Sequence, residues 1–265
     1  MRATLLSECT KLRTQRGALI AAASMFILMV GMSALAASES HTDAALRGGD
    51  DDIVQISLAG VVFAALAAVV VGASSMTSEY STRMIRTTLT ATQGRLRVLG
   101  AKAAAVLGLS FPLALAASVA AYLIAQSLLH DRGYVAPAYP PLSITDPEAA
   151  RAVVGTALLL SAYSLIALGI GTALRHTGAS IAAAVGLVFV PLLMLGVFPE
   201  TVRERIVQAT PLAGMAVQST TGRMLSAFGD VRGMPIGPWQ GLGVAYVWAF
   251  GSLAVGYLLL RRRDA

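Results

Sequence analysis

The sequence predicts an all-α, polytopic membrane protein with six transmembrane helices, and three observations carry that prediction. Of its 265 residues, 56% are hydrophobic and 13% charged, with a mean hydropathy of +0.70; soluble domains carry roughly 45–50% apolar and about 25% charged residues. The charges avoid a set of apolar stretches each longer than the roughly 18 residues that mark a spanning helix. The net charge of +6 and pI near 9.9 come from residues between those stretches.

Uncharged apolar runs fall at about 18–37, 53–75, 103–128, 152–174, 179–197 and 241–260. At 1.5 Å rise per residue, runs of about 19 to 26 residues reach roughly 28 to 39 Å, enough to cross a hydrocarbon core of about 30 Å once each. The first run lacks a small-residue cleavage site before a soluble domain, so it reads as a permanent span and not a signal peptide. Pro112 and Pro191 fall inside the third and fifth runs, where each removes a backbone donor and favours a kink. The whole chain reads as one transmembrane domain, 1–265.

Basic residues set the expected orientation. With an inside amino terminus, Arg2, Lys11, Arg13, Arg16, Arg83, Arg86, Arg95, Arg97, Lys102, Arg175, Arg261, Arg262 and Arg263 lie inside. Arg47, Arg132, Arg151, Arg203, Arg205, Arg223 and Arg232 lie outside, so 13 of the 20 basic residues share one face. Only Glu8, Glu79 and Asp264 of the 14 acidic residues accompany them. Both termini are therefore expected in the cytoplasm, with the chain in the cell membrane. The basic face suits anionic lipid headgroups or a cytosolic partner; no aromatic-interleaved basic patch suggests nucleic acid.

The connecting segments differ in kind. Residues 2–16 place Leu5, Leu6, Cys9 and Leu12 at helical spacing with Arg2, Glu8, Lys11 and Arg13 able to reach water, the pattern of a helix lying in the headgroup layer. Cys9 is the single cysteine and cannot form an internal disulfide. The outer segment from about 129 to 151 holds Pro137, Pro140, Pro141 and Pro147 and reads as a surface loop. The outer segment 198–240 is moderately apolar and suits short interfacial or re-entrant helices. The inner segment 77–102, TSEYSTRMIRTTLTATQGRLRVLGAK, combines Glu79 with Arg83, Arg86, Arg95, Arg97 and Lys102; its composition fits either an exposed helix or a solvated basic loop.

Several chemistries find no residues to carry them. A P-loop requires G-x-x-x-x-G-K-[ST], and neither of the two lysines, Lys11 and Lys102, follows a glycine. The apolar runs hold no ionisable group of the kind a proton- or ion-coupled carrier keeps in the bilayer. His41, His130 and His176 lack metal-ligand spacing. Ser24, Ser110, Ser161 and Ser164 lack a neighbouring base and are expected to bond backbone carbonyls. No catalytic, cofactor or metal site is expected on this chain. Gly155, Ala167, Gly171, Gly186 and Gly256 are expected to let helices approach closely, within the chain or between chains.

Three short stretches resemble the ABC-2 type permeases, the membrane subunits of ATP-binding-cassette transporters, in their actinobacterial form. SECTKLRT, Ser7 to Thr14, is similar to that family's amino-terminal connecting helix, S-E-x-x-K-L. EYSTRMIRTTLTAT followed by GRLRVLGAK resembles its first cytoplasmic loop, E-Y-x-x-G-T-I-R-T-T-L, a proline, then R-x-x-V-L-x-A-K. LLLRRRDA is similar to the usual end of the sixth span. The chain departs from the pattern at Arg83, Met84 and Gln93, where Gly, Thr and Pro are usual.

The resemblance implies a cytoplasmic coupling helix carrying Glu79, Tyr80, Arg83, Ile85, Arg86, Thr87, Thr88 and Leu89, followed by Arg97, Val98, Leu99 and Lys102, docked on an ATPase subunit. It implies a permease for ATP-driven export, with ATP and Mg bound by a separate nucleotide-binding chain present in two copies, and a second permease chain, identical or similar, completing the pathway. The alternative is a non-transporting membrane scaffold or sensor held by an ATPase partner.

Overall fold

A computed structural model describes residues 7, 8, 10, 11, 14–40, 51–81, 94–135, 139, 143–194, 197–221 and 236–262. Among them the chain is helical with no strand, and six helices are long and apolar enough to cross a membrane. This is what lipid demands: with no water to receive backbone N–H and C=O groups, a spanning segment satisfies them internally. The chain is thus a multi-pass membrane protein by length and composition.

In chain order the helices are α1 (Arg16–Glu39), α2 (Ile53–Ser57), α3 (Val61–Ser81), α4 (Arg95–Asp131), α5 (Pro147–Leu174), α6 (Thr177–Met194), α7 (Glu200–Ala209), a 3-10 helix (Pro211–Gln218) and α8 (Pro238–Arg262). The second apolar run does not form one helix. Asp52 caps the short α2 by accepting from Gln55 N at 3.1 Å, and the chain turns through residues 58–60 before α3 begins. The turn is held against α1, because Ser33 Oγ accepts from Gly60 N at 3.0 Å and a side chain on Gly60 would strike the Met29 carbonyl.

The third span is longer than its apolar run: α4 has 37 residues, about 55 Å at helical rise, so it projects beyond a core of about 30 Å. Pro112 and Pro191 both stay inside helices. In the 198–240 segment, α7 is followed by the 3-10 helix, all eight of whose residues are buried. Such long 3-10 runs are uncommon because their hydrogen bonds are poorly aligned; here packing against α5 and α8 supports the conformation.

The centre of the bundle is α5, which packs against α3, α4, α6 and α8, while α1 packs on α3 and α4. In its most apolar window 83% of α5 is buried, against 22% for α6 and for α8. Small residues permit the tight crossings. A methyl at Gly72 of α3 would overlap the Ser164 carbonyl of α5, and one at Gly256 of α8 would lie 2.8 Å from Gly169 O. Gly155, Gly171 and Ala167 are likewise packed inside, but nothing among the described residues lies within 4 Å of a side chain added at Gly186. Among the described residues, then, Gly186 permits no close crossing within the chain. Ser24, Ser161 and Ser164 donate to backbone carbonyls one turn back, and Ser164 also to Ala68 O at 3.0 Å on α3. Ser110 Oγ is buried with no hydrogen-bond partner among the described residues.

Candidate functional site

The chain's two lysines meet at one end of the bundle. Lys102 lies two turns into α4, and its ammonium donates to Glu8 Oε2 at 2.7 Å, to Glu79 Oε1 at 2.8 Å and to Ser75 O at 3.2 Å. Those three bonds use every donor an ammonium has. Lys11 donates to Glu8 Oε1 and to Glu79 Oε1, both at 2.8 Å. Glu8 and Lys11 sit three residues apart in the helical stretch before α1, so one turn presents both to the same neighbour.

Two carboxylates and two ammonium groups make a neutral set. Glu8, Glu79 and Lys102 are 4%, 4% and 2% exposed, while about a third of the Lys11 side chain reaches the surface. Desolvation works against the Lys11 ammonium, but the hydrogen bonds and charges of Glu79 and Glu8 outweigh it and hold its pKa above the usual lysine value. Glu79 Oε2 is buried without a hydrogen bond among the described residues. Pairing of this kind spends its Coulomb attraction on desolvation and adds little net stability, yet removing one partner strands a buried charge.

The same end gathers other polar contacts. Arg95, in the first turn of α4, donates from Nη1 to Leu260 O at 2.5 Å and Arg261 O at 2.8 Å, satisfying carbonyls at the end of α8. Thr177 Oγ1 donates to Thr77 Oγ1 at 3.0 Å, and the Arg175 guanidinium lies over the Tyr80 ring. The last turns of α3 are therefore held by the amino-terminal stretch and α4 through Glu79, and by the α5–α6 turn through Thr77 and Tyr80.

This placement revises the expectation for Glu79. The sequence suggested a carboxylate on an exposed cytoplasmic segment, available to a partner. Instead Glu79 is in the last turns of α3, turned inward and held by Lys11 and Lys102. Tyr80 beside it is partly buried, Arg97 is exposed, and Val98 and Leu99 are buried on α4. Arg83, Ile85, Arg86, Thr87, Thr88 and Leu89, and Leu5, Leu6, Cys9 and Leu12 of the amino-terminal stretch, lie outside the described residues. Sequence reasoning did not join Glu8, Lys11 and Lys102 to Glu79. A usable signal existed: lysine occurs twice in 265 residues, each time close to a span end, with isolated carboxylates in otherwise basic segments.

A third buried carboxylate, also missed, lies at the opposite end. Asp52 is 1% exposed, and besides capping α2 it accepts from Thr220 N at 2.6 Å, Thr220 Oγ1 at 2.9 Å and Thr221 N at 3.1 Å. Ser219 Oγ and Thr221 Oγ1 stand at 3.4 Å. Arg151 donates to Ser219 O at 2.8 Å and Gln218 to Thr156 Oγ1 at 2.8 Å, so the chain following the 3-10 helix is fastened to α5 as well. Between the ends, Val61, Val62, Ala65, Tyr163, Phe189 and Met215 are among the residues lining a small apolar pocket. Among the described residues no group of His, Cys, Asp and Glu converges as a metal site. A scan against protein-family models gives no match for this chain, and neither does a search of curated proteins.

Proposed function

We propose that this chain is the permease subunit of an ATP-binding-cassette exporter, forming the membrane pathway while a separate chain hydrolyses ATP. The observation that carries the reading is the convergence of the resembling stretches. Glu8 and Lys11 come from S-E-x-x-K-L, Glu79 opens E-Y-x-x-G-T-I-R, and Lys102 closes R-x-x-V-L-x-A-K; these four side chains form one charge-balanced cluster, buried except for part of Lys11. Residues far apart in sequence are thus fixed around the two ends of the segment 82–93, where the resemblance puts the contact with the ATPase.

In this reading both termini and the segment 77–102 face the cytoplasm, and the protein resides in the cell membrane. Two ATPase subunits, which hold ATP and Mg, act on a pair of permease chains. Movement imposed on 82–93 passes into α3 and α4 together, because Lys102 bonds Glu79 across them and Glu8 adds the amino-terminal stretch. A buried ion cluster transmits such movement well, since it tolerates displacement as a unit and resists separation of its members. The alternative, a non-transporting scaffold or sensor, uses the same docking face but needs no pathway.

The test is co-expression with a cognate ATPase chain in vesicles. Co-purification of the two, with ATPase turnover stimulated by a candidate substrate and lowered by Arg86→Ala, is the expected result. Stable co-purification without any stimulated turnover or transport would favour the scaffold; failure of any ATPase chain to bind would sink both readings.

A further inference from the structure

Among the described residues only one non-glycine has a positive φ: Arg175, at φ 59° and ψ 10°, immediately after α5. Its N–H donates to Gly171 O at 3.0 Å and closes the helix with a left-handed stop. Glycine or asparagine ordinarily takes this position, since in the left-handed region a Cβ crowds the neighbouring carbonyl. A strained backbone kept at a charged residue calls for a reason in what the side chain does.

The side chain reaches α3. The Arg175 guanidinium carbon lies 5.2 Å from the centre of the Tyr80 ring, within the range where a cation is attracted to an aromatic face. Two residues on, Thr177 bonds Thr77. One turn earlier, a Cβ on Gly171 would lie only 3.2 Å from Ala73 O, so the backbones of α3 and α5 run close here. Tyr80 follows Glu79, and successive helical residues point about 100° apart. The last turns of α3 are thereby gripped from two directions, by the lysines on one side and by Arg175 on the other.

We propose that Arg175 is a positioning residue: the strained stop keeps an arginine on Tyr80 so that the end of α3 and the central helix α5 move as one body. The purpose of that motion rests on the permease reading; the tether is a property of this chain alone. It can be measured without an ATPase, in the full chain in nanodiscs. Spin labels at Ser78→Cys on α3 and Leu174→Cys at the end of α5, in a Cys9→Ser background, report the spacing across the contact.

Arg175→Gly removes the guanidinium and the strain together. Its label distance distribution is expected to widen at least twofold while Tm stays level or rises by about 2 °C, since glycine relieves the left-handed backbone. Arg175→Lys keeps a cation and should restore the narrow distribution; Tyr80→Phe should match the parent, and Tyr80→Leu should widen it. A distribution in Arg175→Gly as narrow as the parent's would overturn the tether. Widening accompanied by a lower Tm would also overturn it, because Arg175 would then be an ordinary structural prop. Failure of an ATPase chain to bind leaves these outcomes untouched and counts only against the permease reading.

Discussion

The bundle buries two carboxylates at one end and one at the other, and the two ends neutralise them differently. At the lysine end, Glu8 and Glu79 face Lys11 and Lys102, charge against charge. At the other end, Asp52 is held by backbone N–H groups and hydroxyls of residues 55 and 219–221, with no ammonium or guanidinium bonded to it among the described residues. The first arrangement fails when a charge is removed, because its neighbours remain ionised in a poor solvent. The second is built from dipoles, and a neutral amide of the same shape keeps part of it. The ends therefore differ in what they demand: a sign of charge at one, an acceptor shape at the other.

The sharpest way to break this contrast is Lys102→Met, which keeps length and removes charge. It is expected to cost about 3–5 kcal/mol, read as loss of unfolding free energy in detergent. Glu79→Gln combined with Lys102→Met, leaving the Glu8–Lys11 pair, should recover a good part of that loss. If Lys102→Met alone costs under about 1 kcal/mol, the cluster is not held by charge.

At the opposite end, Asp52→Ala strands several buried donors and should cost about 1.5–3 kcal/mol, whereas Asp52→Asn should cost roughly half as much. Equal losses for the two would show that charge matters there too. Between the ends, Gly72→Ala forces α3 from α5 against the Ser164 carbonyl and should cost about 1–3 kcal/mol, while Gly186→Ala should stay within about 0.5 kcal/mol. A reversal of that order, in the same unfolding measurement, would mean the α3–α5 crossing is not the tight one.

Within the charge cluster the smallest effect belongs to Lys11, a third of whose side chain is exposed. Lys11→Ala should cost at most about 1 kcal/mol. Because its pKa in the folded chain is raised from 10.5, its contribution is complete below that value and disappears only as pH climbs through the higher folded one. From pH 6 to 9 the stability difference between Lys11→Ala and the parent should be flat; a slope in that range would contradict the cluster geometry at Lys11.

Six apolar runs were legible because the bilayer leaves the backbone one solution, and run length alone then counts the helices able to cross it. Their ends were less so. The break between α2 and α3 depends on Asp52 acting as a cap and on Gly60 meeting the Met29 carbonyl, contacts that no hydropathy pattern contains. Lys102 marked the edge of an apolar run, but α4 extends past it and carries it inside.

By itself, then, the sequence determined the helical class and the number of helices long and apolar enough to cross a membrane, since those follow from where charge is absent. Which helix is central it could not determine. The spans are comparably apolar, yet α5 is 83% buried in its apolar window and α8 22%, because lipid and protein interior look alike to an apolar side chain. Only the tertiary structure brings Lys102 to Glu8, 94 positions away, and to Glu79, 23 positions away. Those pairs depend on how α3 and α4 lie beside the amino-terminal stretch, and an ion pair acts over a few ångströms of space whatever the separation along the chain.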